Sequence, residues 1–358
     1  MSVEFVATKT FDEIVNEYIA IHQMFNPDYV PNESDDILPT LQTFAYRELL
    51  LRTEMNIGWK KSYWMDATRE DLDWCALFFF GLKRLLGAKP YAPFTFELVA
   101  PMTVDYRIAA GLLLSSPDGL TAELVEDIII PAGSTISGSG RVDLDAYVSS
   151  TTVKTEQIIT PLPYTLSAKQ IGDFVGGKDT ESDDGLRERI ELSFEQFSTA
   201  GAIGAYKYYA KSADVRIDDV AVYSTSDAVV HLKLHSIGGV DQVMIDRVYA
   251  AVNPDEVRPL TDHVLVAAAI AVNYTISGTV TIDPLYDTAT VLAKVSENLD
   301  VMTKSVKIGE SVSIPKITGA IMKVDGVTDM TLASPTSNVT VPDKSKVAIC
   351  TLVEVVNA

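Results

Sequence analysis

Two histidines four residues apart, His231 and His235 in the run HLKLH, are the first side chains whose spacing suggests chemistry. On a helix, such a pair can chelate a transition metal. The flanking sequence VVHLKLHS alternates apolar and polar residues, however, and predicts a strand. At about 3.3 Å per residue the two imidazoles then stand ~13 Å apart, too far to share one ion. The pair reads as one solvated face of a strand.

Other chemistry-bearing groups fall to similar arguments. Glu181, Asp183 and Asp184 could hold calcium or act as paired acids. Capping and the helix dipole already favour carboxylates at a helix start, and the regular oxygen-ligand spacing of a calcium loop is missing. The glycine-containing runs FVGGKDT, STISGSG and IGGVD match neither GxGxxG nor GxxxxGK[ST]. There is no GxSxG elbow, and four scattered histidines offer no Ser/His/Asp or Cys/His set. Cys75 and Cys350 lie far apart, each without a second cysteine or a histidine at ligand spacing, so neither disulfide nor zinc site is read. No catalytic, cofactor-binding or metal residue is assigned, and no cofactor or enzymatic activity is expected.

Composition narrows the class further. The chain has 358 residues, 47% hydrophobic and 22% charged, which is enough for two or three cores. Acidic residues outnumber basic ones 49 to 29, a formal charge of −20. That sign repels phosphate and anionic lipid, so neither nucleic acid nor a membrane is an expected partner. The start, MSVEFVATKTFDEIV, has no basic n-region followed by an apolar h-region. The longest apolar runs, WCALFFFG and VLVAAAIAV, are far shorter than the roughly 20 residues that cross a bilayer. A soluble, non-secreted protein is expected.

The elements that would position any site follow from periodicity. The first 90 residues predict three helices. Thr10 and Glu13 form a capping box before Phe11, Ile14, Val15, Tyr18, Ile19 and Phe25. Leu41, Phe44, Ala45, Leu49 and Met55 share a second helix. A third, capped by Thr68, runs through Leu72, Cys75, Ala76, Phe79, Leu82 and Leu86 until Gly87 and Pro90 stop it. Short β-branched runs follow, at residues 94–99, 127–130 and 147–155, with STISGSG as an exposed loop. A helix over 181–197 carries Leu186, Ile190, Phe194 and Phe197 on one face, and a short one covers 202–212. Strands at 220–224, 229–235, 263–269, 274–282, 327–332 and 346–355 then alternate with helices at 241–252, 288–302 and 315–323. Val220, Val222, Val230, Leu232 and Leu234 should pack against the helices at 241–252 and 288–302.

The predicted fold is α+β and multidomain. Its parts are an N-terminal helical region (1–90), a β-rich domain (91–167), a helical connecting segment (168–218), an α+β module (219–272) and a C-terminal α+β module (273–358). The stretch 59–80 holds three Trp, one Tyr and three Phe, more aromatics than a small bundle buries. Leu41, Leu49, Leu72, Phe79 and Leu82 are expected to hold the bundle. Trp59, Tyr63 and Trp64 are expected to reach a partner.

Four ordered blocks carry a resemblance. They are LQTFAYRELLLRTEMN, ATREDLDWCALFFFGLKRL, the long ESDDGLRERIELSFEQFSTAGAIGAYKYYAKSADVRIDDVAVYS, and NPDEVRPLTDHVLV. Together they resemble the J-type baseplate assembly proteins of contractile-tailed bacteriophages, from about residue 38 to the C-terminus. Over 95–165 only the general β character matches. The resemblance implies a structural wedge component of the tail baseplate, located in the virion and assembled in the host cytoplasm. It implies six wedges closing into a ring around the hub and spike, and a part in triggering sheath contraction. The implied partners are an I-type tail protein, further copies of the chain, and the sheath-initiator and hub/spike proteins. An equivalent part of a tailocin or related contractile injection system is the alternative; an enzyme or sugar-binding module would need a clustered acid pair in a cleft.

Overall fold

The computed structural model of the chain describes residues 5–32, 36–196, 203–254, 257–259 and 261–357. They fall into two compact units, residues 1–84 with 183–190, and residues 85–182 with 191–358.

The first unit is helical. Helix α1 (Phe11–Phe25) begins with both halves of the capping box, Thr10 accepting from the Glu13 N–H and Glu13 accepting from the Thr10 N–H. Helix α2 (Ile37–Ser62) is 26 residues long, about 39 Å at 1.5 Å per residue. Ile14, Val15 and Ala45 form the α1–α2 core, with Phe11, Tyr18, Ile19 and Leu49 packed around it. The Asn56 amide pins the preceding segment by exchanging two 2.9 Å hydrogen bonds with the Val6 backbone. Helix α3 (Arg69–Phe80) ends earlier than the expected stop at Gly87. Gly81 turns left-handed at φ +67°, and the Leu82 N–H donates back to the Ala76 carbonyl. The chain re-enters this unit at helix α4 (Asp183–Ser193). Asp183 accepts from the Arg69 N–H at 3.0 Å and from the Arg84 guanidinium at 2.8 Å. Arg187 donates to the Ala67 carbonyl and Arg189 to the Lys83 carbonyl, both at 2.6 Å. On α4, Leu186 and Ile190 are buried as expected, Phe194 is exposed, and Phe197 lies outside the described residues.

The second unit opens with antiparallel β structure. Strands β1 (Tyr91–Leu98), β2 (Tyr106–Ile108), β3 (Leu113–Ser115), β4 (Thr121–Leu124), β5 (Ile128–Ile130), β6 (Gly140–Leu144), β7 (Gln157–Ile158) and β8 (Leu166–Gln170) follow one another. Six make one sheet in the order β7-β3-β4-β6-β1-β8, and β2 pairs with β5. Phe94, Phe96, Leu114, Leu124, Val142, Leu144 and Phe174 fill the core on alternate strand positions. Two expectations fail here. Residues 147–155 form no strand, only a bridge from Thr151 to Phe174. The STISGSG run is not wholly exposed, since Ser137 is buried and its Oγ accepts the Phe96 N–H. Gly87 has a different role from stopping a helix. A Cβ there would stand 2.3 Å from the Lys178 carbonyl, so glycine is required by the Ala88–Lys178 bridge beside it.

Two α+β modules complete the unit. Helix α5 (Ile203–Ala213) leads into β9 (Asp219–Ser226), β10 (Val229–His235), α6 (Gln242–Val252) and β11 (His263–Ala268). Strands β9 and β10 are antiparallel, β10 and β11 parallel, with α6 as the crossover. Val220, Val222, Leu232 and Leu234 meet Met244, Val248 and Val252 of α6 together with Tyr206 and Ala210 of α5, and Val230 packs at the margin. The second module holds β12 (Ile270–Ile282), α7 (Thr288–Lys304), α8 (Ile314–Met322), β13 (Val327–Ser334) and β14 (Lys346–Asn357), with β12 central. Val291, Val295, Leu299 and Met302 of α7 pack on Tyr274, Ile276 and Val280 of β12. Helix α7 therefore belongs to this module's core, a correction to its expected place against β9 and β10.

One buried carboxylate ties the first α+β module together. The Asp214 side chain is 1% exposed and accepts a forked pair from Arg216, at 2.8 and 3.0 Å, and a third bond from Arg247 at 2.9 Å. Arg216 also reaches Asp241, whose other oxygen caps α6 at the Met244 N–H. Burial alone would raise the Asp214 pKa, but the Arg216 hydrogen bonds overcome it and hold the carboxyl below its ordinary value. A carboxyl whose folded pKa is depressed contributes stability above its unfolded value, lost as pH falls through the folded one. Asp214→Ala should cost about 1.5–3 kcal/mol at neutral pH by removing the buried partner of Arg216, which keeps only Asp241, while Arg247 is largely exposed; urea titration measures it. Its stability should also fall less steeply than the wild type's on acidification.

Candidate assembly surface

The groups singled out for chemistry are dispersed by the fold into structural roles. His231 stacks on Tyr223 at 5.2 Å and its Nε2 lies 2.9 Å from the Thr225 hydroxyl. Both His231 and His235 sit on β10, as their alternation predicted, and burial lowers the His235 pKa. Glu181 accepts the Leu85 N–H at 2.9 Å and Asp184 pairs with Arg187 at 2.8 Å. With Asp183 on Arg69 and Arg84, all three carboxylates are engaged by the protein itself. Among the described residues no group of three His, Cys, Asp or Glu side chains is placed to hold a metal ion. No helix of the described residues is long and apolar enough to cross a membrane.

The helical unit also presents apolar surface to solvent. Helix α3 turns Leu72, Cys75 and Ala76 inward. Its opposite face carries Trp74, Leu77 and Phe78, and Trp74 is 70% and Phe78 82% exposed. At 100° per residue these three share one face with Glu70 and Asp71 a turn earlier. The helix thus turns bulkier aromatics to solvent than to its own bundle, the reverse of an ordinary surface helix. A shallow depression lined by Glu70, Asp73, Trp74 and Leu77 lies on that face.

Helix α2 shows the same imbalance. Over 26 residues only Leu41 and Ala45 are fully buried. Tyr46, Leu50 and Ile57 form an exposed stripe on one flank of that seam, and Phe44, Leu51 and Met55 another on the other flank. A helix with one filled apolar seam and two uncovered ones has the pattern of a bundle member lacking its neighbours.

Expectations for this region divide. Leu41, Leu72 and Leu82 are buried and Leu49 packs on the core, as predicted. Phe79 does not hold the bundle; it is 63% exposed at the end of α3. Trp59 and Tyr63 stack on each other, Trp59 also on Phe5 at 5.2 Å, and Trp64 sits edge-on to Phe80. Those three are engaged within the unit; on α3 the exposed aromatics are Trp74, Phe78 and Phe79. Both faces of α3 are apolar, which hid the distinction. The acids Glu70 and Asp71 on the Trp74 side were the available signal.

Comparison with known proteins identifies the region. Residues 33–89 match the family model for the baseplate J-like N-terminal domain, and residues 274–356 match that for the baseplate J-like protein C-terminal domain. A relative named baseplate protein J, from Escherichia phage P2, is 33% identical over 180 residues. That stretch is 49% of this chain and 59% of the relative, so the match spans about three fifths of the relative's length. In the six-fold symmetrised cryo-EM structure of the anti-feeding prophage baseplate, a chain is similar over 96% of this protein and 91% of its own length. The TM-score is 0.46, at 12% identity. Both terminal domain models are matched in order, and a baseplate protein J shares a third of its aligned residues, so the chain is similar to baseplate J-like proteins at both ends of its sequence.

Proposed function

We propose that this protein is a structural component of the baseplate wedge of a contractile phage tail. It joins an I-type tail protein and further copies of itself, contacts the sheath-initiator and hub/spike proteins, and contributes to the ring whose rearrangement triggers sheath contraction. The observation that carries this reading is the uncovered apolar surface of α2 and α3, which lies within the matched N-terminal domain. An assembly protein works through such faces: each is a moderate interface, and closing a ring makes them cooperative. The role requires no catalytic group.

The tail particle itself tests this. In particles purified from the producing host, the chain should be a stoichiometric component located at the tail tip by electron microscopy. Its absence from intact particles would overturn the proposal. The C-terminal modules are proposed to contact neighbouring copies around the ring. Removing residues 219–358 should therefore leave particles without a complete baseplate, and normal particles carrying the shortened chain would refute that part.

A second prediction separates surface from core. Trp74→Ser with Phe78→Ser should leave thermal melting within about 0.5 kcal/mol of wild type, as exposed positions do. Leu72→Ala should cost about 2–5 kcal/mol. The double surface variant should nonetheless lose co-purification with its baseplate partners, measured by pull-down from co-expressing cells.

A further inference from the structure

We propose that the outward face of α3 receives the basic end of α2 from a second copy of this chain, with Trp74 as the seat of a lysine side chain. The inference rests on the assembly role above and adds the partner and the residues in contact.

Charge decides the occupant. On a chain of net charge −20, the α3 face is acidic: Glu70 and Asp71 lie one turn before Trp74, and neither forms an ion pair among the described residues. An exposed indole flanked by unpaired carboxylates attracts a cation by charge and by its ring quadrupole. Of the cations that flank α3 in sequence, Arg69, Lys83 and Arg84, the last is already held by Asp73 and Asp183. The chain carries a matching element elsewhere. Helix α2 ends in Lys60 and Lys61, both exposed and both without an ion pair among the described residues. They follow directly on the uncovered stripe of Tyr46, Leu50 and Ile57. An α2 stripe laid on α3 would bring apolar side chains onto Leu77 and Phe78 while its basic end reaches Trp74, Glu70 and Asp71.

Area supports the same choice. Trp74 and Phe78 leave roughly 300 Å² of aromatic surface uncovered, taking 150–250 Å² for each such side chain. A stable interface needs about 800 Å² per partner. The α3 face alone falls short, but a contact in which each copy offers both its α3 face and its α2 stripe approaches that size. Helices that meet this way place opposite charges at the rim and apolar groups at the centre, the usual anatomy of a specific interface.

The test is a charge exchange on the full chain, read by sedimentation equilibrium with circular dichroism as the folding control. Wild type should self-associate. Glu70→Lys with Asp71→Lys should weaken association about tenfold or more, and Lys60→Glu with Lys61→Glu should do the same. Combining the four substitutions in one chain should restore it. A monomeric wild type, or variants that associate as wild type does, or a combined variant that fails to recover, would each overturn the contact. Particle assembly separates the two claims. Normal baseplates built from unpaired charge variants would remove this contact and leave the baseplate role standing. Self-association by this contact in a chain absent from purified particles would do the opposite.

Discussion

The helices of the N-terminal unit carry more apolar surface than they can bury among themselves, and this imbalance governs the rest. Hydrophobic burial near 25 cal/mol per Å² is the main force available to a helical hairpin, and α2 spends most of its 26 residues outside it. The α1–α2 core amounts to Ile14, Val15 and Ala45 with a few half-buried neighbours. Polar clamps compensate locally: Asn56 on Val6, Asp183 on Arg69 and Arg84, Arg187 and Arg189 on backbone carbonyls. Such bonds fix geometry more than they add stability, about 1 kcal/mol each. A unit assembled this way is held in shape while its aromatic faces stay open to a partner.

The two α+β modules solve the opposite problem. Each closes its own core between a sheet and its helices, with Leu232, Leu234 and Val248 in the first and Ile276, Leu299, Ile317 and Ile321 in the second entirely shielded. In the first module Asp214 replaces solvent with two guanidinium groups, an arrangement expensive to break and therefore rigid. Rigid modules transmit a displacement rather than absorb it, because packed cores deform little. The polypeptide thus combines a helical unit with uncovered apolar faces and C-terminal modules whose cores are complete.

Much of this was legible in the residues. The Thr10/Glu13 capping box and the period-2 run around His231 each name their element through local physics that the fold leaves intact. Tertiary choices were less legible. Residues 147–155 look like a strand because Val and Thr favour extended backbone, but Thr151 finds only one bridge partner, Phe174. The end of α3 was misplaced because Gly87 resembles a stop, whereas Gly81 makes the left-handed turn and Gly87 serves a close backbone approach. The partner of α7 was misjudged because periodicity gives a helix its apolar face without saying which sheet receives it. The outward aromatics of α3 were obscured for the same reason. An apolar side chain signals burial, but not whether the same chain or another provides it.

Net charge adds a further constraint on how such a stem can associate. Two copies at −20 each repel at long range, though salt confines the repulsion to a Debye length of about 8 Å at physiological strength. Close approach is therefore set by local charges and apolar fit rather than by the total. A contact that puts Lys60 and Lys61 against Glu70 and Asp71 replaces repulsion with attraction at a place where aromatic surface is also exposed. The remaining acidic surface still opposes contacts in other registers, which is how like charges favour one arrangement over its competitors. Where other contacts also hold copies together, the same contact forms at the high effective concentration of a shared assembly and is strengthened further.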